Sequence, residues 1–296
     1  MNSLKNTLAL AIGSAILLAA PGALAQTVFT QWTFDNLTNG TATTSPAAST
    51  GSGTASSVGM TATGGPYATA NATGPDTSNI DNVVGTDTGS VDGLANNTAT
   101  ANNMWRIVGT NGWNSGAAIG SQGAQFLTST AGEQNIVAAF DIYVTAQGES
   151  SFQAQYTING TTWINAPLTY AGAAIAGNGA GSVTTNSTNA SIVNGTYFQA
   201  SAAGGDTQFD GFQVNLSGVT AVNNDPNFGL RIVNAATGTA VTNVKTLGAL
   251  NNTSGNWRLD DVTFEGTAIP EPSTWALILG SFALAIAAWR RRQATA

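Results

Sequence analysis

The sequence predicts an all-β fold, a two-sheet antiparallel β-sandwich of jelly-roll type, flanked by an N-terminal signal helix and a single C-terminal transmembrane helix. Three observations carry this expectation. Thr, Asn, Ser, Gly and Ala dominate the 296 residues, while Lys and Glu, the usual residues of helix surfaces, are nearly missing. Between the two ends, no stretch of ten or more residues has helical periodicity. Several stretches instead alternate apolar and polar residues with a period of two, the pattern of half-buried strands.

Residues 1–25 read as a secretory signal. Lys5 precedes an apolar run from Leu8 to Ala20, and Ala23-Leu24-Ala25 supplies the small residues that signal peptidase requires. Cleavage after Ala25 makes Gln26 the first mature residue. Residues 26–268 form the expected sandwich, with "VFTQWTFD" as its first strand. In "IVAAFDIYVTA" one face carries Phe140, Ile142 and Val144, and the other Asp141 and Tyr143. In "SFQAQYTINGTTW" Phe152, Ala154, Tyr156 and Ile158 share a face. Asn159-Gly160 then predicts a type I′ hairpin turn, with Thr161 to Ile164 as the returning strand. Phe212, Val214 and Leu216 alternate downstream, followed in phase by Phe228, Leu230 and Ile232. Asn111-Gly112 and Asn194-Gly195 predict two more hairpins. Residues 38–100 and 170–190 have few large apolar side chains and are expected to be long loops or weak edge strands.

The last strand, "NWRLDDVTFEG", breaks its own alternation. Val262 and Phe264 share a face that, by strict period two, also carries Arg258 and Asp260 and leaves Leu259 outside. A β-bulge would resolve the conflict. So would a hard cation such as Ca²⁺, which takes several oxygen ligands in an irregular cage. Asp260, Asp261 and Asp35 are the candidate ligands, and both resolutions stay open at this point.

Residues 269–296 have a different character. Pro270-Glu271-Pro272 precedes a fifteen-residue apolar run from Trp275 to Trp289, and Arg290, Arg291 and Arg292 follow. As a helix the run is about 22 Å long, short against a bilayer core of about 30 Å. Its tryptophans stand where interfacial aromatics belong, and the arginines mark a cytoplasmic side. The prolines keep Glu271 in extended, accessible backbone. These three parts, in this order, resemble the PEP-CTERM sorting signal of exported bacterial proteins. That resemblance implies a tail held in the inner membrane, recognised by an exosortase and removed near the PEP motif. It implies a final address at the cell surface or outside the cell. More loosely, "YTINGTTW", "LSGVTAVNNDPNFGLRIV" and "WRLDDVTFEGT" resemble phrases of exported sandwiches of the carbohydrate-binding or discoidin type. In such modules a structural calcium often sits where the first and last strands meet.

Composition closes several function classes. Cys and His are both absent, which removes disulfides, thiolate and imidazole metal sites, and Ser-His-Asp or Cys-His catalysis. From Gln26 to Glu271, four basic residues (Arg106, Arg231, Lys245 and Arg258) stand against fifteen acidic ones, a formal charge of −11. There is no basic stripe for nucleic acid. Glu133, Asp141, Glu149, Asp206 and Asp210 lie in or next to strands, but nothing in their spacing makes the facing carboxyl pair of a glycosidase. Trp32 and Trp257 are expected in the core or in sheet-edge packing. Trp113 and Trp163, each close to an Asn-Gly pair, are the candidates for stacking a sugar ring. The expected function is a non-enzymatic exported surface or matrix protein that associates with exopolysaccharide. The alternatives are a carbohydrate-binding module with a defined sugar site and a β-sandwich hydrolase.

Overall fold

The computed structural model describes residues 25–34, 43–60, 67–68, 103–107, 113–170, 178–179, 181–182, 190–193, 197–200, 207–250, 255–270 and 272–294. The signal helix with Ala23, both Asn-Gly pairs at 111–112 and 194–195, Asp35, Asp206 and Glu271 lie outside these residues.

Period-two alternation does produce strands here, and they assemble into two sheets. Along the first sheet, in spatial order, run β3 (Tyr67–Ala68), β4 (Asn103–Ile107), β16 (Trp257–Ala268), β6 (Glu133–Val144), β14 (Thr207–Asn215) and β9 (Thr169–Tyr170). β1 (Thr27–Trp32) also pairs with β16. The second sheet runs β12 (Ala190–Val193), β13 (Tyr197–Ala200), β7 (Ser151–Thr157), β15 (Gly229–Asn234), β5 (Gly123–Thr128) and β2 (Gly53–Val58), with β8 (Ile164–Asn165) against β7. β10 (Asn178–Gly179) and β11 (Gly181–Ser182) form a separate small pair. β5, β6 and β7 alternate between the two sheets, and so do β14, β15 and β16. Each sheet therefore has inner strands that are distant in sequence.

The inner faces close on one core. Phe140, Ile142 and Val144 from β6, Phe212 and Val214 from β14, and Leu259, Val262 and Phe264 from β16 meet Phe152, Ala154, Leu230, Ile232 and Phe126 of the other sheet. Aromatic rings bridge the layers: Phe152 lies 5.6 Å from Trp257, Phe228 5.8 Å from Phe264, and Trp32 5.2 Å from Phe126. Edge-to-face pairs of this kind add about 1 kcal/mol each beyond the area they bury.

The phase conflict in the last strand is resolved by a bulge. On β16 the pairing with β6 shifts between Asp260 and Thr263, so that Asp261 and Val262 together stand opposite Phe140. Asp261 takes a left-handed φ of 41°, and its N–H donates to Asp260 Oδ1 at 3.0 Å. Leu259 and Phe264 are consequently both buried. At the same level β16 changes its edge partner, from β4 at 257–259 to β1 at 262–266.

Three expectations need correction. The hairpin after β7 exists, with Gln155 opposite Asn165, but its turn is not type I′. Gly160 alone has positive φ, at 72°, and the Asn159 side chain organises the loop by accepting from the N–H groups of Thr161 and Thr162 at 3.0 and 2.7 Å. An Asx-type turn satisfies the backbone without needing Asn159 in the left-handed region. Within the stretch read as loop, "GTASSV" is β2, paired over its whole length with β5; backbone pairing holds it in spite of its small side chains. The third correction concerns α1 (Pro272–Ala294). Among the described residues no helix is long and apolar enough to cross a membrane. The apolar run is short, rich in alanine, broken by Gly280-Ser281 and stopped by three arginines.

Candidate functional site

The outward face of the second sheet carries a continuous row of polar side chains. Cross-strand partners share a face, so the register places Ser56, Gln125, Arg231, Gln155 and Asn165 side by side on β2, β5, β15, β7 and β8. Hydrogen bonds run along this row. Arg231 Nε donates to Gln155 Oε1 at 2.6 Å, and Gln155 Nε2 donates to Asn165 Oδ1 at 2.8 Å. The Asn159 turn delivers Trp163 to the same place, and the Arg231 guanidinium lies 4.5 Å over its ring. Partial burial pulls the Arg231 pKa below its ordinary value, but a guanidinium stays charged.

Next to this row, about 7 Å away at two residues along the strands, Leu127 faces Gly229 and Gly229 faces Thr157. A Cβ on Gly229 would meet Leu127 Cδ2 at 2.5 Å and Phe126 O at 2.9 Å. Beyond it opens a depression of about 290 Å³, whose rim carries Ser52, Ser129, Gly160 and Asn227. On the other side, the loop 114–122 abuts the row. It is held by Asn234, whose Oδ1 accepts from the N–H groups of Ser121 and Gln122, both at 2.9 Å.

No family model matches the chain, and no curated protein is similar to it in sequence. The functional reading therefore rests on the residues themselves.

Of the two tryptophans singled out from sequence, only Trp163 reaches the surface, and it is half-buried. Trp113 is fully buried, with its ring 4.1 Å from that of Trp257. That contact removes it as a stacking platform for sugar and is a correction. Its Asn-Gly neighbour suggested exposure, but its packing partner lies far along the chain.

The proposed calcium ligands fall on the first sheet. Asp260 is buried opposite Asp141, Asp261 occupies the bulge, and Asp35 lies outside the described residues. Two residues along, Arg258 packs its guanidinium 4.4 Å over Tyr143 and donates from Nε to Asn256 Oδ1 at 3.1 Å. Among the described residues, no group of three or more His, Cys, Asp or Glu is placed to hold a metal ion.

Sequence reasoning placed Glu149 next to a strand but gave no sign of its burial. Glu149, in the β6–β7 connection, is 1 % exposed. Desolvation pushes its carboxyl pKa up to about 8, opposed by hydrogen bonds from Ser151 and from the Ala236 backbone. Its backbone bridges Asn243, and its carbonyl accepts the Trp257 indole N–H at 2.9 Å. Glu149 thus ties the 145–151 connection to the 235–250 segment, which also exchanges backbone hydrogen bonds between Val244 and Gly148 and between Lys245 and Ala146. Sealed under that segment, the carboxyl is out of reach of a substrate. An isolated glutamate leaves no pattern in the sequence that would have flagged it.

Proposed function

We propose that the chain is a non-enzymatic exported protein, sorted by an exosortase to the cell surface or extracellular matrix, where its sandwich associates with exopolysaccharide. The body is read as a jelly roll, which the alternation of strands between sheets supports. The observation that carries the sorting reading is the tail. Pro270-Glu271-Pro272 leads into a helix that is apolar on every side, with Leu279 66 % and Leu284 73 % exposed. Such a helix is costly in water at about 25 cal/mol per Å² of apolar surface, and it ends in three cations suited to an anionic lipid surface. A short apolar helix is a weak hold on the inner membrane, as suits a segment that is to be removed. On the body, hydroxyl and amide groups at the outward face of the second sheet match the hydrogen-bonding groups of glycans. The formal charge of −11 disfavours nucleic acid.

The test is replacement of Pro270-Glu271-Pro272 by three alanines in the native host. The variant is expected to accumulate uncleaved in the inner-membrane fraction, while the wild type is processed. Normal processing and release of the variant would remove the sorting reading.

A further inference from the structure

We infer that the outward face of the second sheet is a binding strip for a neutral polysaccharide, running from the Asn227 depression past Gly229 to Trp163 and Arg231. This inference rests on the reading of the protein as a glycan-associated surface protein, and it names the surface and the ligand class.

Four features place the strip there. The depression of about 290 Å³ is rimmed by hydroxyl and amide groups from Ser52, Ser129 and Asn227 and has no ionisable side chain in its lining. Its rim is open at Gly160, where an added Cβ would touch nothing within 4 Å. Between the depression and the amide row Gly229 has no side chain of its own, and the Leu127 side chain lies over it, so the surface there is low and apolar, a place for the C–H groups of a sugar ring. At the far end the half-buried Trp163 has the Arg231 guanidinium over its ring and keeps part of its apolar surface exposed, next to the row of Gln125, Arg231 and Asn165. A pyranose needs this combination: an apolar face for its C–H groups, with planar amide and guanidinium groups aligned to its hydroxyls. Three residue steps, from Phe228 just before β15 to Arg231 within it, separate the two ends by about 10 Å, room for adjacent sugar residues of one chain. The ligand class follows from charge. A single guanidinium in the strip, on a body whose residues 26–268 carry four basic and fourteen acidic side chains, a formal charge of −10, favours a neutral polymer over a uronate-rich one, because every further carboxylate would meet net repulsion.

The test is isothermal titration of the full chain, purified in a detergent without a sugar headgroup. The ligands are cello-, xylo- and mannohexaose, with hexagalacturonate as the acidic arm. At least one neutral hexamer is expected to bind. Trp163→Ala is expected to weaken it tenfold or more, and Asn227→Ala, at an exposed rim position, several-fold. Gln213→Ala on β14 of the opposite sheet is expected to leave affinity within twofold. All variants should keep the wild-type melting temperature; Asn227→Ala alone still decides the matter if Trp163→Ala does not fold. Neutral binding unchanged in both Trp163→Ala and Asn227→Ala would overturn the strip while leaving the glycan reading intact. Binding of hexagalacturonate alone would overturn the ligand class. No binding of any hexamer would overturn the strip and the glycan reading together, leaving the sorting reading to its own test.

Discussion

Replacing Glu149 by Gln is expected to remove most of the fall in stability between pH 5 and pH 9. The sign follows from linkage. Burial pushes the Glu149 pKa up to about 8 in the folded protein, against an ordinary carboxyl value of 4.5 in the unfolded chain. Between those two values the folded state keeps a proton that the unfolded state has released, so stability declines as pH rises through the window. At 1.36 kcal/mol per unit of pKa difference, the wild type loses about 5 kcal/mol by pH 8 from this group and little more above it. Glu133 is shifted in the same direction by burial, so a residual slope is expected in the variant. Urea denaturation of both proteins at pH 5, 7 and 9 measures the difference. Parallel pH profiles for wild type and variant would mean that Glu149 does not hold its proton in the folded state.

Trp257→Ala is expected to cost about 4 kcal/mol, the range for truncating a fully buried tryptophan, and to lower the melting temperature by roughly 10 °C or more. Trp257 is 0 % exposed and sits at the junction of both layers, against Trp113 at 4.1 Å and Phe152 at 5.6 Å. Its indole N–H also closes the Glu149 loop. A paired measurement separates packing from hydrogen bonding. The buried Trp113 Nε1 has no hydrogen-bond partner, so Trp113→Phe gives up ring volume only. Trp257→Phe gives up ring volume and leaves a buried carbonyl unsatisfied, which costs about 1–3 kcal/mol more. Equal losses from the two Phe variants, measured by thermal and urea unfolding, would contradict this account of the junction.

These two residues also show how far a sequence can be read. Where a strand's inward set is fixed by alternation, as with Phe140, Ile142 and Val144 or Phe228, Leu230 and Ile232, the core was legible. A single period suffices because each strand has one buried face. In the last strand the sequence showed the conflict between Leu259 and Phe264 without deciding its resolution, because a bulge is a property of two paired strands. Strand β2, "GTASSV", was illegible for a related reason. Its side chains carry little signal, and its partner β5 supplies the hydrogen bonds. The site was legible only in part. Trp163 could be named from its nearness to Asn159-Gly160. Its neighbours Gln125, Arg231 and Asn165 come together only through the strand order β5–β15–β7–β8, which no single stretch encodes. Trp113 was misread by the same local cue, and the burial of Glu149 depends on a loop that arrives from some ninety residues later in the chain.

The central claim is that both apolar ends are handling segments and the sandwich is what is delivered. Intact-mass analysis of the protein recovered from the cell surface and culture medium of its native host tests this most directly. The account predicts a species that begins at Gln26 and lacks Arg290, Arg291 and Arg292, with its C-terminal end near Pro270-Glu271-Pro272. A full-length chain, still carrying Met1 and the arginines and confined to the cytosol, would contradict it.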